Sequence, residues 1–146
     1  MANSTLTLIV VSGLVLFWVA FEFLIARVSG WRALARVYPA LSAFVGRRYR
    51  LCNVGFRRGT YYRSCVTFGT SPEGLFVALF LPFQIGHPPV FVPWSDIVIT
   101  ESKVFWFRRI RLSFKRVPGV WLSISQSLAL KILQFFPSRW PSRNAA

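Results

Sequence analysis

LTLIVVSGLVLFWVAFEFLIA, residues Leu6–Ala26, divides the chain into two parts of different character. As a helix rising about 1.5 Å per residue, this run reaches about 30 Å, the hydrocarbon thickness of a bilayer. One charge, Glu22, interrupts it and no proline does. A secretory leader reads differently. Met1–Thr5 carries no side-chain charge, no Ala-x-Ala site follows, and the run exceeds the usual apolar length of about 7–15 residues. A retained transmembrane anchor is therefore expected over residues 1–27. Arg27, Arg32, Arg36, Arg47, Arg48 and Arg50 follow it closely, against an uncharged N-terminal flank. The positive-inside rule then puts the N-terminus outside and the C-terminal domain in the cytoplasm, at the cell (inner) membrane. Glu22 lies about one turn from the inner end of the span, where a carboxylate can snorkel to the interface or meet Arg27. Its functional reading is an intramembrane partner contact or a proton site.

Beyond the anchor about 100 residues remain, enough for one small domain. Eighteen Lys and Arg oppose four Asp and Glu, a formal net charge of +14, and the 54% apolar content argues for a packed core over disorder. Such an excess suits nucleic acid or an anionic membrane surface. The tether already accounts for the charge, so lipid is the expected partner. Nucleic acid is disfavoured, although Tyr61, Tyr62, Trp106 and Trp121 among arginines offer a stacking platform. Cys52 and Cys65 fall in neighbouring predicted strands. They can pair, but they read first as plain buried thiols, and two thiols make no zinc site. There is no Walker loop, GxSxG or HExxH. His87 is the only histidine, without a Cys, Asp or Glu cluster, and reads as a loop residue with no function. Nothing brings two of Glu73, Asp96 and Glu101 together for acid–base work. No catalytic residue, metal or cofactor is expected, and an enzyme is the weakest reading.

Residues 28–46 read as a short amphipathic helix and connector. Ser29 can cap it, Pro39 stops it, and Trp31, Leu34, Val37 and Tyr38 recur on one side. Two arrangements fit equally: an interfacial helix lying on the membrane through Trp31, Arg32 and Arg36, or one packed on the domain. From Arg47 the period becomes two. Strands are expected at Arg48–Phe56 and Thr60–Phe68 around an Arg57-Arg58-Gly59 hairpin turn, then at Leu75–Phe83 and Val90–Pro93. Trp94-Ser95-Asp96 makes a tight turn in which Asp96 bonds the backbone. Ile97–Thr100 and Val104–Phe107 follow as strands or one bent strand. Arg109–Lys115 alternates with Ile110, Leu112 and Phe114 inward, and Pro118-Gly119 turns into Val120–Ile124. A helix capped by Ser125 or Ser127 runs to about Phe136 with Leu128, Ile132, Phe135 and Phe136 apolar, and 137–146 is a fraying tail. The fold class is α+β, mainly β: an N-terminal transmembrane helix, then about seven antiparallel strands and a C-terminal helix over residues 47–136.

GWRALARVYP (Gly30–Pro39), GLFVALFLPF (Gly74–Phe83) and HPPVFVPWSDI (His87–Ile97) resemble segments of bacterial membrane-anchored PH-like or GRAM-like proteins of unknown function. The resemblance implies a PH-like curled barrel plugged by its last helix. It also implies that basic residues of the first hairpin loop, here Arg57, Arg58 and Arg63, grip headgroup phosphates, which suits the planar guanidinium fork. The competing reading is a solvated basic face that adheres to anionic lipid without selectivity. Arg108, Arg109, Arg111, Lys115 and Arg116 form a second, membrane-surface stripe. The expected function is a non-enzymatic membrane-surface binding or scaffolding module. The alternative is a subunit of a membrane complex that meets its partner through the first helix and Glu22.

Overall fold

The computed structural model describes residues 2–135; the expected tail and Phe136 lie outside the described residues. Helix α1 (Ala2–Ser29) is followed by α2 (Trp31–Val37). The strands are β1 (Arg47–Phe56), β2 (Tyr61–Thr70), β3 (Gly74–Leu79), β4 (Val90–Pro93), β5 (Ile97–Val104), β6 (Phe107–Phe114) and β7 (Val117–Ser125), and α3 (Gln126–Phe135) closes the order. All seven strands form one antiparallel sheet in the order β4-β3-β2-β1-β7-β6-β5. The mixed α+β class with about seven strands is as expected.

Helix α1 is long and apolar enough to cross a bilayer. Its side chains from Ala2 to Phe17 are all exposed, and only Glu22, Ala26 and Ser29 are buried. These three are spaced by four and three residues, so they share one face near the helix end. There the chain breaks at Gly30, whose φ of +89° is left-handed. Ser29, expected to cap α2, is instead the last residue of α1, although its Oγ still accepts the Trp31 N–H at 3.3 Å.

Helix α2 is a core element. Trp31, Leu34 and Tyr38 are 0%, 1% and 3% exposed, which removes Trp31 from the membrane interface and leaves only Arg32 and Arg36 outward. The Trp31 ring packs on Phe56 and Tyr62, and Nε1 donates to the Pro88 carbonyl at 2.8 Å. The inward faces of the strands complete the core with Val54, Phe68, Val77, Leu112, Leu122 and Ile124. The alternation read in β6 holds, with Ile110, Leu112 and Phe114 buried. Residues 38–40 also shield the sheet edge: Phe91 N–H donates to the Tyr38 carbonyl at 3.0 Å and Ala40 N–H to the Pro89 carbonyl at 3.2 Å. At the other end, Ser125 Oγ accepts the Leu128 N–H at 3.3 Å, and Leu128, Ala129 and Ile132 are buried.

Four local expectations change. Strand β3 ends at Leu79, and Phe80–Gly86 is a series of turns. The β5–β6 turn falls at Phe105-Trp106, inside the expected Val104–Phe107 strand. The β6–β7 turn falls at Lys115-Arg116, while Pro118 and Gly119 lie within β7 beside a register shift. Asp96 Oδ2 accepts from the Tyr38 hydroxyl at 3.0 Å, so its carboxylate ties the Trp94–Asp96 turn to the end of α2 rather than bonding its own turn.

Candidate functional site

Two clusters of chemistry emerge. The first lies on the outer face of β2, β1, β7 and β6. Arg63 and Arg109 both lie over the Tyr61 ring, at 5.8 and 5.5 Å from its centroid. Arg109 Nε donates to Ser123 Oγ at 2.7 Å and Nη2 to the Ser123 carbonyl at 2.8 Å. Arg111 stacks on Trp121 at 4.2 Å. Gly55 of β1 lies between them, paired with Tyr61 on one side and with Ser123 on the other, so the register of β1 brings the two together. Two basic groups far apart in sequence thus join into one arginine–aromatic band.

The other predicted basic residues stand elsewhere. Arg57 is half-buried against Gly30 and Val120, with a buried Nε that has no hydrogen-bond partner among the described residues. Arg58 is exposed at the hairpin tip with a left-handed φ of 59°. Arg108 and Lys115 are exposed, and Arg116 lies over Tyr38 at 5.5 Å while its N–H donates to the Tyr38 hydroxyl. Arg57, Arg58 and Arg63 therefore do not close on one shared point: Arg57 faces the helix junction and Arg63 the band. Cys52 and Cys65 are half-buried free thiols.

The second cluster is a polar junction between α1 and the sheet. The loop before β4 brings His87 beneath α1, fully buried. Its Nε2 lies 2.9 Å from Tyr62 Oη, and Nδ1 lies 3.1 Å from the Ile85 carbonyl. A carbonyl only accepts, so the neutral ring carries its proton on Nδ1 and Nε2 accepts from the tyrosine. Ser29 Oγ lies 3.2 Å from the same hydroxyl, and the Trp31 ring stands edge-on to the imidazole. Glu22 Oε2 is 3.7 Å from Nδ1, beyond hydrogen-bond length. The carboxylate thus turns inward to His87, neither out to the interface nor to the exposed Arg27. The loop histidine expected to stand alone has three buried neighbours, Glu22, Trp31 and Tyr62. Only the residue types were legible; the pairing spans the chain from 22 to 87.

Burial holds the His87 imidazole below its ordinary 6.5, partly offset by hydrogen bonds to the backbone of Ile85 and Phe83. Burial likewise pushes the Tyr62 hydroxyl up to about 12. The unfolded chain therefore binds a proton near pH 6.5 that the buried ring refuses. The stability held above that pH falls as the solution is acidified, by at most about 1.4 kcal/mol per pH unit. Thermal unfolding of the full chain in nanodiscs is expected to show a lower midpoint at pH 5.5 than at 7.5. His87→Gln should flatten that slope; an unchanged slope would assign it to other groups.

Fold and site together define a class: an apolar helix packed directly onto a seven-stranded antiparallel domain with a basic, aromatic outer face. Compared with known protein families and with curated proteins, the chain matches none. Among the described residues no three His, Cys, Asp or Glu side chains gather in a group fit to hold a metal ion.

Proposed function

We propose that the chain is a non-enzymatic, single-pass membrane protein whose cytoplasmic PH-like domain binds or scaffolds at the inner membrane surface through its arginines. The sheet order supports the PH-like part of this reading. Strands β1–β4 and β5–β7 form two meanders joined by β1–β7 pairing, and a terminal helix follows the last strand. The observation that carries the functional part is the direct packing of the domain on the end of α1. Arg32 lies over Phe23 at 5.8 Å and Arg57 abuts Gly30, so basic side chains surround the end of the apolar helix. Near an anionic surface each such residue is worth about 1 kcal/mol. A partner contact through Glu22 has weaker support, because that carboxylate is only 6% exposed and faces the chain's own His87.

The test is hydrogen exchange of the full chain in bilayers of graded anionic content. Protection of residues 57–63 and 108–111 should rise with negative charge and fall with salt. A preference for one headgroup at equal charge would define a stereospecific site. Identical exchange in zwitterionic and anionic bilayers would remove lipid as the partner.

A further inference from the structure

The β3–β4 loop, Phe80–Gly86, reads FLPFQIG, and its large apolar side chains face outward. Phe80, Leu81, Phe83 and Ile85 are 58%, 64%, 37% and 36% exposed. The loop does not project into open space. The Phe83 ring stands edge-on to Trp18 of α1 with centroids 6.5 Å apart, and Gly86 lies so close to Phe23 that a Cβ would meet its ring at 3.2 Å. We propose that this loop is seated in the bilayer beside α1, with the acyl chains of the nearer leaflet as its partner. The inference rests on the reading of α1 as a membrane span.

The argument is one of depth. Trp18 precedes Ala26, the end of the apolar run, by eight positions, about 12 Å along a helix. A loop that touches Trp18 clears the bilayer only if the bilayer ends there. That would leave Leu6–Phe17, about 12 residues or roughly 18 Å of the apolar run, to cross it. It would also put Phe21, Phe23 and Leu24, which are 47%, 42% and 55% exposed, into water. With the span at Leu6–Ala26, the loop and those side chains share one hydrocarbon layer, so both apolar surfaces are covered by one partner.

Irregular backbone facing hydrocarbon is costly wherever its polar groups lack partners, and part of this loop's backbone is satisfied internally. Phe83 N–H donates to the Phe80 carbonyl at 2.9 Å, His87 N–H to the Gln84 carbonyl at 2.9 Å and Phe80 N–H to the Cys65 carbonyl at 2.8 Å, and Pro82 has no N–H to satisfy. Beside the loop, a groove on the sheet carries Arg48 and Arg50 along with Leu51, Phe80 and Leu81. Cationic and apolar side chains side by side match the headgroup and acyl regions of one lipid layer.

Spin labels read the depth. The full chain, with Cys52 and Cys65 replaced by alanine, is labelled at Leu81→Cys in liposomes. Leu14→Cys serves as the hydrocarbon reference and Glu73→Cys, on the β2–β3 turn where the side chain is exposed, as the water reference. The expected result is a reversed accessibility ratio: the Leu81 label meets oxygen more than a nickel chelate, as the Leu14 label does, and the Glu73 label shows the opposite. Phe80→Cys repeats the measurement should the Leu81 label disturb the loop. A Leu81 label that behaves like the one at Glu73, with Leu14 in lipid, overturns the inference and leaves the span intact. A label shielded from both relaxants also overturns it and points to a protein covering the loop. If the Leu14 label itself meets the nickel chelate, α1 is not in the bilayer and both readings fall.

Discussion

Trp31→Ala is expected to destabilise the domain by about 3–5 kcal/mol, a large share of the stability of a domain this size. The ring is fully buried, with centroids 5.4 Å from Phe56, 5.9 Å from Tyr62 and 5.4 Å from His87. It is the point where α2, the first hairpin and the loop before β4 meet. Alanine would leave a cavity there and strip the Pro88 carbonyl of its indole donor. Trp31→Phe keeps most of the packing and loses the hydrogen bond, so it should cost markedly less. Denaturant unfolding of the full chain in nanodiscs, followed by circular dichroism, measures both. An alanine variant within about 1 kcal/mol of the parent would show that the core closes without α2.

Gly30→Ala comes next, at about 2–4 kcal/mol. Two costs add. The left-handed φ of +89° disfavours any Cβ, and the added methyl would stand 2.7 Å from Val120 Cγ2 and 2.9 Å from Arg57 Nε. The arginine tip can move aside; Val120, 2% exposed and on a core strand, has little room to. Gly119→Ala isolates the first cost, since Gly119 has nearly the same φ, +87°, with nothing within 4 Å of the added atom. Melting the two variants side by side should place Gly30→Ala clearly lower. Equal midpoints would mean that the contact between the helix end and β7 yields freely.

The parts of the fold that were readable in the chain are those set by local period. Ile110, Leu112 and Phe114 alternate with polar neighbours, and a half-buried strand follows from that alone. The Phe105-Trp106 turn was not readable, because apolar aromatics imitate a strand and Phe105 adopts a left-handed φ of 56° without a glycine. Pro118-Gly119 misled in the opposite sense, since a turn dipeptide was absorbed into β7 beside a register shift. The basic residues were visible, but their union was not: Tyr61, Ser123 and Arg109 meet only because β1 and β7 pair across Gly55. Glu22 and His87 read as separate features, since no local pattern says that a loop residue folds back under a helix 65 positions earlier.

A single residue, Gly30, separates the two helices, and the second of them is core. Domains hung from a flexible tether wander through many orientations and lose that freedom when they bind. Here the loss is incurred once, at folding. The domain has a fixed azimuth about the α1 axis, set by the face that carries Glu22, Ala26 and Ser29. Each helical residue added or removed between that face and any neighbour gripping the upper helix would swing the domain by about 100° around the axis. The phase of α1, as well as its length, therefore governs which way the arginine band faces.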